Sequence, residues 1–264
     1  MNASTKIWHA LSWARSIFIF DPLIYIYTLV LGTLSLLSSL IDRHGRIQHG
    51  FARLWSWLIL HTIRCPVRVT GLERVDRDRP RVFVANHISA LDIPLLYEYL
   101  PCQFRIMAKK ELFRYPFMGW HLRRSGQIPV DAASAMASMR SLMRAVRSLQ
   151  GGMPLVVFPE GGRSPSGQIQ PFMSGAFYVA IKAGVDVVPM AIVGAYEVLP
   201  MNSFHFRPGP MRLVVGEPIS TAGYSLRDMD VLAARVQKAV EDLYYSHSRV
   251  PDPRVTAGAI GTQT

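Results

Sequence analysis

The feature that most limits how this chain can fold is an uncharged, apolar run of twenty residues near its N-terminus, residues 22–41. As an α-helix that rises about 1.5 Å per residue, such a run spans ~30 Å, which is roughly the thickness of the hydrocarbon core of a bilayer. The run is long for a signal peptide, and no small-residue cleavage pattern clearly follows it. It therefore predicts a membrane-associated helix.

A second apolar segment follows a polar break at residues 42–46. Its large apolar residues recur at helical spacing, at Phe51, Leu54, Trp55 and Leu58, with Trp57 and Leu60 widening the face. This pattern predicts an interfacial amphipathic helix. The two segments could form a spanning helix followed by an interfacial one, a hairpin sunk into one leaflet, or a helical pair packed on the domain core. Basic residues flank the first segment on both sides, so they do not fix its orientation: Lys6, Arg15, Arg43 and Arg46.

A histidine and an aspartate stand five residues apart just after a short apolar run, residues 82–85, which reads as a buried strand. Residues 91–100 then read as a helix, with Ser89 as its N-cap and Asp92 completing a capping box. On one continuous helix, His87 and Asp92 would lie roughly 140° apart. They can meet only if the histidine lies on the turn and the aspartate in the first helical turn.

Such a contact would give the pair a chemical use. The carboxylate would accept a hydrogen bond from one imidazole nitrogen and leave the other free as a base. This is the base and its orienting group from a catalytic triad, without a serine or cysteine nucleophile beside them. The nucleophile would then be a hydroxyl group of the substrate. The alternative interpretation is an ordinary helix cap beside a surface histidine.

A second polar loop follows the apolar run at residues 155–158, and residues 174–183 then read as another helix. Gly161 and Gly162 would let the main chain approach a ligand closely, and Arg163 offers a planar fork suited to phosphate. A lone loop of this kind is usually an ordinary turn. Two such loops at strand ends, however, match the place where ligands bind in open α/β sheets.

Taken together, the two loops resemble the motifs of the glycerolipid acyltransferase family, most closely its 1-acyl-sn-glycerol-3-phosphate (lysophosphatidic acid) acyltransferases. The family's Asn-His-x4-Asp motif is met by Asn86, His87 and Asp92. Its Phe-Pro-Glu-Gly-Thr-Arg-Ser motif is met except at one position, by Phe158, Pro159, Glu160, Gly161, Arg163 and Ser164. The family also carries a lysine-containing block between these two motifs and a Val-Pro strand after them. In this chain, residues 108–112 and 187–192 correspond to them in the same order.

The resemblance implies an α/β fold with a largely parallel central sheet flanked by helices, as in glycerol-3-phosphate acyltransferase, and an N-terminal membrane-associated helical pair. It implies that His87, oriented by Asp92, is the base, and that Arg163, with Lys109, holds the acceptor phosphate. Glu160 would position its loop, Gly161 would supply main-chain donors, and Asn86 and Ser164 would complete the substrate site. No cofactor and no metal are expected.

The implied reaction moves a fatty acyl group from acyl-CoA or acyl carrier protein to the sn-2 hydroxyl of lysophosphatidic acid, giving phosphatidic acid. The resemblance also places the domain at the cytoplasmic face of the cell inner membrane. Two departures from the motifs, Gly162 for threonine and Ala132 for arginine, leave the acceptor open. Another lysolipid, glycerol-3-phosphate or dihydroxyacetone phosphate remains an alternative, as does a non-catalytic membrane-anchored binding protein.

Composition narrows the other classes of function. A net charge of +11 and a mean hydropathy of +0.18 suit a protein that faces an anionic bilayer. The arginines are dispersed and no nucleic-acid-binding motif is present, so nucleic acid is not an expected partner. Two cysteines, Cys65 and Cys102, are too few for a disulfide framework and lack metal-ligand spacing. Neither a His-Glu-x-x-His nor a Gly-x-Ser-x-Gly sequence occurs.

The remaining pattern alternates strands with helices, which predicts an α/β sandwich around a parallel sheet. Further strands are expected at residues 104–108, 127–130, 187–193 and 212–215, and helices at residues 133–149 and 226–245. Three methionines at helical spacing, Met136, Met139 and Met143, are expected to pack in the core. The predicted organisation is an anchor at residues 1–64, an acyltransferase domain at 65–250 and a disordered tail at 251–264.

Overall fold

The central element of the fold is a mostly parallel sheet. The computed structural model describes residues 3–42, 44–76 and 79–254. Within this part, seven strands form one sheet: β1 (Val67–Thr70), β2 (Val82–Ala85), β3 (Arg105–Lys109), β4 (Ile128–Val130), β5 (Leu155–Val157), β6 (Val187–Val193) and β7 (Met211–Val215). Strands β2 and β6 have the predicted bounds. β1 was not predicted: it alternates apolar and polar side chains over only four residues.

The strand order is β1-β7-β6-β2-β5-β3-β4, and β6 with β7 is the antiparallel pair. Strand β2 lies between β5 and β6, with Val84 opposite Val157 on one side and Pro189 on the other. Because β2, β5, β3 and β4 run in the same direction, their carboxyl ends share one edge of the sheet. The loops that follow β2 and β5 are therefore neighbours, as the sequence predicts for a ligand site.

Helices cover both the sheet and its ends. They are α1 (Ala3–Arg15), α2 (Asp21–Ser38), α3 (Arg46–Thr62), α4 (Asp92–Tyr99), α5 (Met118–Arg124), α6 (Ala135–Gln150), α7 (Gly175–Ala183), α8 (Ala195–Val198) and α9 (Met229–Tyr245). Short 3₁₀ turns occur at Leu72–Arg74, Lys110–Arg114 and Leu226–Asp228. Every residue of β2 and β6 is buried, since these central strands have apolar neighbours on both faces. The α/β fold is as predicted.

The N-terminal apolar segment is longer than predicted. Helices α1 and α2 are joined by a π-helical turn, Ser16–Phe20, and residues 7–38 form one continuous helical span. The turn accommodates Pro22, whose ring cannot follow an ordinary α-helical turn, and the Asp21 N–H bonds to the Ser16 carbonyl. By length and composition this span could cross a bilayer, and only 11% of its most apolar window is buried.

The long helix is fixed to the domain near its middle. The Ser16 hydroxyl accepts from the Phe206 N–H at 3.1 Å and donates to the Phe206 carbonyl at 3.3 Å. One turn earlier, the Ser12 hydroxyl lies 2.9 Å from His205 Nε2. Because Ser16 is fully buried, these bonds form a dry contact between the helix and the loop that precedes β7. The helix is therefore part of the folded body along this stretch.

The buried face of helix α3 is rotated from the predicted apolar face and shares only Leu60 with it. Its buried residues are Gln48, Ala52, Ser56, Ile59 and Leu60, and its small side chains allow close packing against α4. Leu54 and Trp57, from the predicted apolar face, stay 45% and 42% exposed. The helix therefore packs on the domain and still presents an apolar outer surface. Three arrangements of the N-terminal helical pair were predicted, and α3 agrees with the one in which the helix packs on the domain core.

Two further expectations differ from the structure. The prediction that Met136 and Met139 pack in the core is wrong, because both are exposed. Helix α6 instead buries a stripe of mostly smaller residues, Ala137, Ser141, Ala145, Val146 and Leu149. In the predicted tail, Arg254 pairs with Asp242 at 2.8 Å and Asp252 at 2.7 Å. Arg43 and residues 255–264 lie outside the described residues.

Candidate active site

The first loop leaves the sheet at Asn86, directly after β2. Its side-chain amide donates to the Ile192 carbonyl at 2.9 Å and accepts from the Ile192 N–H at 2.7 Å. Asn86 thus continues the pairing of β2 with β6 by one more residue through its side chain. Because Asn86 is fully buried, the structure places it behind the predicted site, where it fixes the point at which the loop begins.

His87 and Asp92 are in direct contact, with 2.7 Å between His87 Nδ1 and Asp92 Oδ2. His87 lies on the turn and Asp92 is the first residue of α4, so the predicted geometry is confirmed. The same carboxylate oxygen accepts from the main-chain N–H groups of Ile88 at 2.8 Å and Ser89 at 2.9 Å. Asp92 is completely buried, so three donors hold its carboxylate in one position.

The imidazole ring is also held from the side. Its centroid lies 4.3 Å from that of the Phe158 ring, and the two planes are 26° apart. The His87 side chain is 20% exposed, and its Nε2 atom is reachable by solvent and has no hydrogen-bond partner in the described part of the chain. The ring is therefore oriented by Asp92 and Phe158 and leaves one nitrogen free for a ligand.

The predicted capping box is only half formed. Asp92 bonds to the Ser89 N–H as expected, but α4 begins at Asp92 and has Leu91 in the N-cap position. The Ser89 hydroxyl donates to the Leu199 carbonyl at 2.7 Å and accepts from the Leu91 N–H at 3.2 Å. Ser89 as the N-cap is thus wrong, because its hydroxyl ties the loop to Leu199 in place of capping the helix.

Glu160 joins the two loops. One of its carboxylate oxygens accepts from the His87 N–H at 2.6 Å, and the other accepts from the Gln170 N–H at 2.8 Å. Burial raises the pKa of Glu160 to about 8, although both N–H groups favour its ionised form. A further bond runs from the Ser164 N–H to the His87 carbonyl, at 2.8 Å. The main chain of His87 is therefore clamped on both sides by the second loop.

Ser164 lies deeper than the sequence predicts for a ligand contact. It is fully buried, and its hydroxyl has no hydrogen-bond partner among the described residues. Gly161 has a φ of +71°, and a side chain there would meet the Met173 methyl group at 2.6 Å. Gly161 is required by this backbone. Gly162 is not constrained in this way, so the threonine of the family motif would fit.

Two cations border this loop without partners. A Cβ atom on Gly162 would lie 3.8 Å from Lys109 Nζ, so Lys109, the last residue of β3, reaches the second loop. Arg163 is half-buried. Within residues 3–42, 44–76 and 79–254, neither side chain has an ion pair or hydrogen bond. Lys110, by contrast, pairs with Asp131 at 2.6 Å. Lys109 and Arg163 are thus available to an anion at the second loop.

The sequence did not identify several of the groups that hold this arrangement. Phe158 was expected at the end of a strand and in the second loop motif, but without a contact to His87. The contributions of the Gln170 N–H and the Leu199 carbonyl come from segments distant in sequence. A main-chain group leaves no trace in residue type, so only the fold reveals these partners. No cluster of three His, Cys, Asp or Glu side chains suited to a metal occurs in the described part of the chain.

Comparison with known proteins places this arrangement in a family. Residues 66–193, which contain both loops, match the family model described as Acyltransferase. The chain is 33% identical over 183 residues to a chloroplastic 1-acyl-sn-glycerol-3-phosphate acyltransferase of Brassica napus, an alignment that covers 68% of this chain and 53% of the relative. The chain thus spans about half the length of the chloroplast relatives it matches.

Two further relatives match over nearly their whole length. The human 1-acyl-sn-glycerol-3-phosphate acyltransferase beta is 27% identical over 248 residues, which is 90% of this chain and 88% of the human protein. The crystal structure of the 1-acyl-sn-glycerophosphate acyltransferase PlsC from Thermotoga maritima superposes with a TM-score of 0.72 at 28% identity. That match covers 89% of this chain and 94% of the other. The chain therefore belongs to the acyltransferase family, as its two loop motifs predicted.

Proposed function

We propose that this protein is a membrane-associated 1-acylglycerol-3-phosphate acyltransferase, which transfers a fatty acyl group from a thioester to the sn-2 hydroxyl of lysophosphatidic acid. The observation that carries this proposal is the His87–Asp92 pair, bonded through Glu160 and Ser164 to the loop that holds Arg163. Neither His87 Nε2 nor the Arg163 side chain has a partner among the described residues. The names of the relatives from Brassica napus, human and Thermotoga maritima support the same reaction class.

In the proposed mechanism, His87 Nε2 removes the proton from the acceptor hydroxyl as its oxygen attacks the thioester carbonyl carbon. The resulting tetrahedral intermediate collapses by breaking the carbon–sulfur bond. The imidazolium then returns its proton to the thiolate that leaves, so the products are phosphatidic acid and a free thiol. Asp92 stabilises the imidazolium through the 2.7 Å contact. General-base catalysis of this kind contributes about 10²–10⁴-fold to the rate.

Substrate binding is assigned to the second loop and its neighbour. Arg163 and Lys109 would hold the acceptor phosphate, since Arg presents a planar fork and Lys a compact point charge. Main-chain N–H groups near Gly161 would contribute to stabilising the oxyanion of the tetrahedral intermediate. The Gly161 N–H itself donates to the Phe158 carbonyl at 3.1 Å and holds the turn. Asn86, Glu160 and Ser164 would act behind this surface and hold the loops together, because their side chains are wholly or largely enclosed.

The long N-terminal helix would keep the enzyme with its lipid substrates. Its apolar residues face outward: Ile17, Phe18, Ile26, Leu29 and Leu37 are 46–76% exposed. A surface of this kind is unfavourable in water and suits lipid. We place the domain at the cytoplasmic face of the cell inner membrane, with acyl-CoA or acyl carrier protein as the donor. The basic net charge of +11 favours an anionic leaflet.

The test is thiol release from a long-chain acyl-CoA by detergent-solubilised protein, with and without lysophosphatidic acid. Release that depends on the acceptor and falls about 10²–10⁴-fold in His87→Ala is the expected result. His247→Ala, which changes an exposed histidine in the segment after α9, is the matched control and should keep full activity. Full activity in His87→Ala would overturn the proposed base.

The same chemistry on another acceptor is the second candidate. Gly162 leaves open space beside Lys109, and Ala132 is exposed at the carboxyl end of β4 where relatives carry an arginine. Both features leave room for a headgroup other than a bare phosphate. An acceptor panel that contains lysophosphatidic acid, other lysolipids, glycerol-3-phosphate and dihydroxyacetone phosphate separates these cases by the acceptor with the highest kcat/KM.

A further inference from the structure

A second basic site lies beside the edge strand β4, apart from the two catalytic loops. It is a cleft of about 450 Å³ between the 3₁₀ turn after β3, helix α5 and helix α6. Its lining residues are Lys110, Phe113, Arg114, Arg123, Gln127, Pro129 and Arg144. Four of these residues are cationic and none is acidic. The mechanism proposed above uses none of them.

The arginines of the cleft are not neutralised by the protein. Arg114, Arg123 and Arg144 come from three different elements, and none has an ion pair with any residue in the described part of the chain. Lys110 differs, since Asp131 pairs with it at 2.6 Å. Like charges repel, so three unpaired guanidinium groups facing one cleft favour the binding of an anion with several charges.

The cleft adjoins the catalytic loops. Lys109 is the last residue of β3, and Lys110 is the first residue of the 3₁₀ turn that follows. Lys109 reaches the second catalytic loop beside Gly162, whereas Lys110 lines the cleft. An anion bound in the cleft is thus separated from the proposed reaction centre by the end of one strand. A ligand with a flexible arm could occupy both places.

We propose that this cleft binds the phosphate groups of a coenzyme A thioester, which makes coenzyme A the carrier of the donor. The inference rests on the proposed acyl transfer. The size of the cleft lies in the range of small-molecule sites, about 300–1,000 Å³. A carrier protein would instead need a broad surface, on the order of 800 Å² per partner. Phe113 and Pro129 give the cleft apolar walls against which the adenine can pack.

The experiment combines variants with a binding measurement that needs no turnover. Arg123→Ala with Arg144→Ala should weaken coenzyme A binding in calorimetry and raise the KM for acyl-CoA, each by roughly tenfold or more. The KM for lysophosphatidic acid and kcat should change less than about twofold. Arg147→Ala with Arg227→Ala removes two exposed arginines outside the cleft and is the matched control. Dephospho-coenzyme A, which lacks one phosphate group, should bind the unaltered protein more weakly than coenzyme A does.

The outcomes separate this proposal from the proposed function. If no acceptor supports turnover, but the double variant loses coenzyme A binding and the control variant keeps it, the cleft assignment is supported and the proposed reaction is overturned. If the double variant binds coenzyme A like the unaltered protein, the cleft assignment is overturned. It is also overturned if the double variant raises the KM for the acceptor and not the KM for acyl-CoA. A third contrary result is that only acyl carrier protein thioesters support turnover and that the double variant loses this turnover.

Discussion

The loop after β2 and the loop after β5 meet at the same edge of the sheet but use their polar side chains differently. In the first loop, Asn86, His87, Ser89 and Asp92 all have hydrogen-bond partners within the protein. In the second, Glu160 is bonded at both oxygens, whereas Arg163 and the neighbouring Lys109 have no partner in the described part of the chain. The first loop thus holds each of these side chains by bonds within the protein, whereas the second loop and the end of β3 leave two cationic side chains without a partner among the described residues.

This difference separates two tasks. If His87 is the general base, as proposed, its free nitrogen must be held in position before the substrate binds, and the bonds of the first loop hold it. Binding an anion requires charges that are not already paired, and Arg163 of the second loop and Lys109 at the end of β3 are two such charges. We therefore expect substitutions in the first loop to reduce turnover or folding, and substitution of the free cations to reduce substrate affinity.

The largest effect in this comparison is expected from Asp92→Asn. The neutral amide cannot stabilise the imidazolium that forms during the reaction, so kcat should fall by roughly 10²–10⁴-fold. The measurement is steady-state thiol release at saturating acceptor. A change in KM for lysophosphatidic acid with kcat intact would assign Asp92 to binding and would break the division between the two loops.

The next effect concerns stability and tests the start of the first loop. Asn86→Ala leaves the buried N–H and carbonyl groups of Ile192 without the side-chain partners they now have. We expect the free energy of unfolding to drop by about 2–4 kcal/mol, because each unpaired buried polar group costs about 1–3 kcal/mol. Urea unfolding in detergent measures it. His247→Ala, the exposed control used above, should be nearly unchanged in the same experiment.

For the second loop, Arg163→Ala should raise the KM for lysophosphatidic acid by roughly 10–100-fold, the worth of a hydrogen bond between charged groups. Stability should change little, since the guanidinium contacts no described residue through an ion pair. Arg163→Lys should restore part of the affinity, because it keeps the charge but not the planar fork. Equal KM values for all three proteins would mean that the acceptor phosphate binds elsewhere.

The last effect is a change in the pH dependence of stability at Glu160. Its pKa is raised from 4.5 to about 8 by burial, so the folded state holds this proton more tightly than the unfolded state. The resulting stabilisation is fully present below pH 4.5 and is lost as the pH rises towards 8. Glu160→Gln should flatten the fall in unfolding free energy between pH 5 and 8. Glu111→Gln, an exposed control, should retain the slope of the unaltered protein; an equal slope in both variants would contradict the assignment.

Much of this arrangement could be predicted because it depends on residue type and spacing. A completely apolar strand followed by a polar turn locates β2 and β5, and the five-residue spacing defines the only geometry in which His87 and Asp92 meet. Both follow from local rules of strand and helix geometry. The continuous apolar runs also predicted correctly that the central strands β2 and β5 are buried on both sides.

Other features depend on which surface a helix meets, and local patterns do not encode that. Met136 and Met139 lie at a helical spacing suited to burial, yet α6 turns a neighbouring stripe of smaller residues inward because these allow closer packing. Ser89 looks like a helix cap until the Leu199 carbonyl arrives from more than a hundred residues away. The basic cleft is similarly invisible, since Arg114, Arg123 and Arg144 converge only through the fold.

The contact between the long helix and the loop before β7 has a mechanical consequence. Ser12 and Ser16 bond to His205 and Phe206, so the helix cannot swing freely about the catalytic domain. With this helix in a bilayer, as proposed, the domain is mounted rigidly and not tethered. The distance of His87 from the acyl chains is then set by how deeply the helix inserts in the bilayer. His87 would therefore reach acceptor hydroxyl groups at one depth in the leaflet.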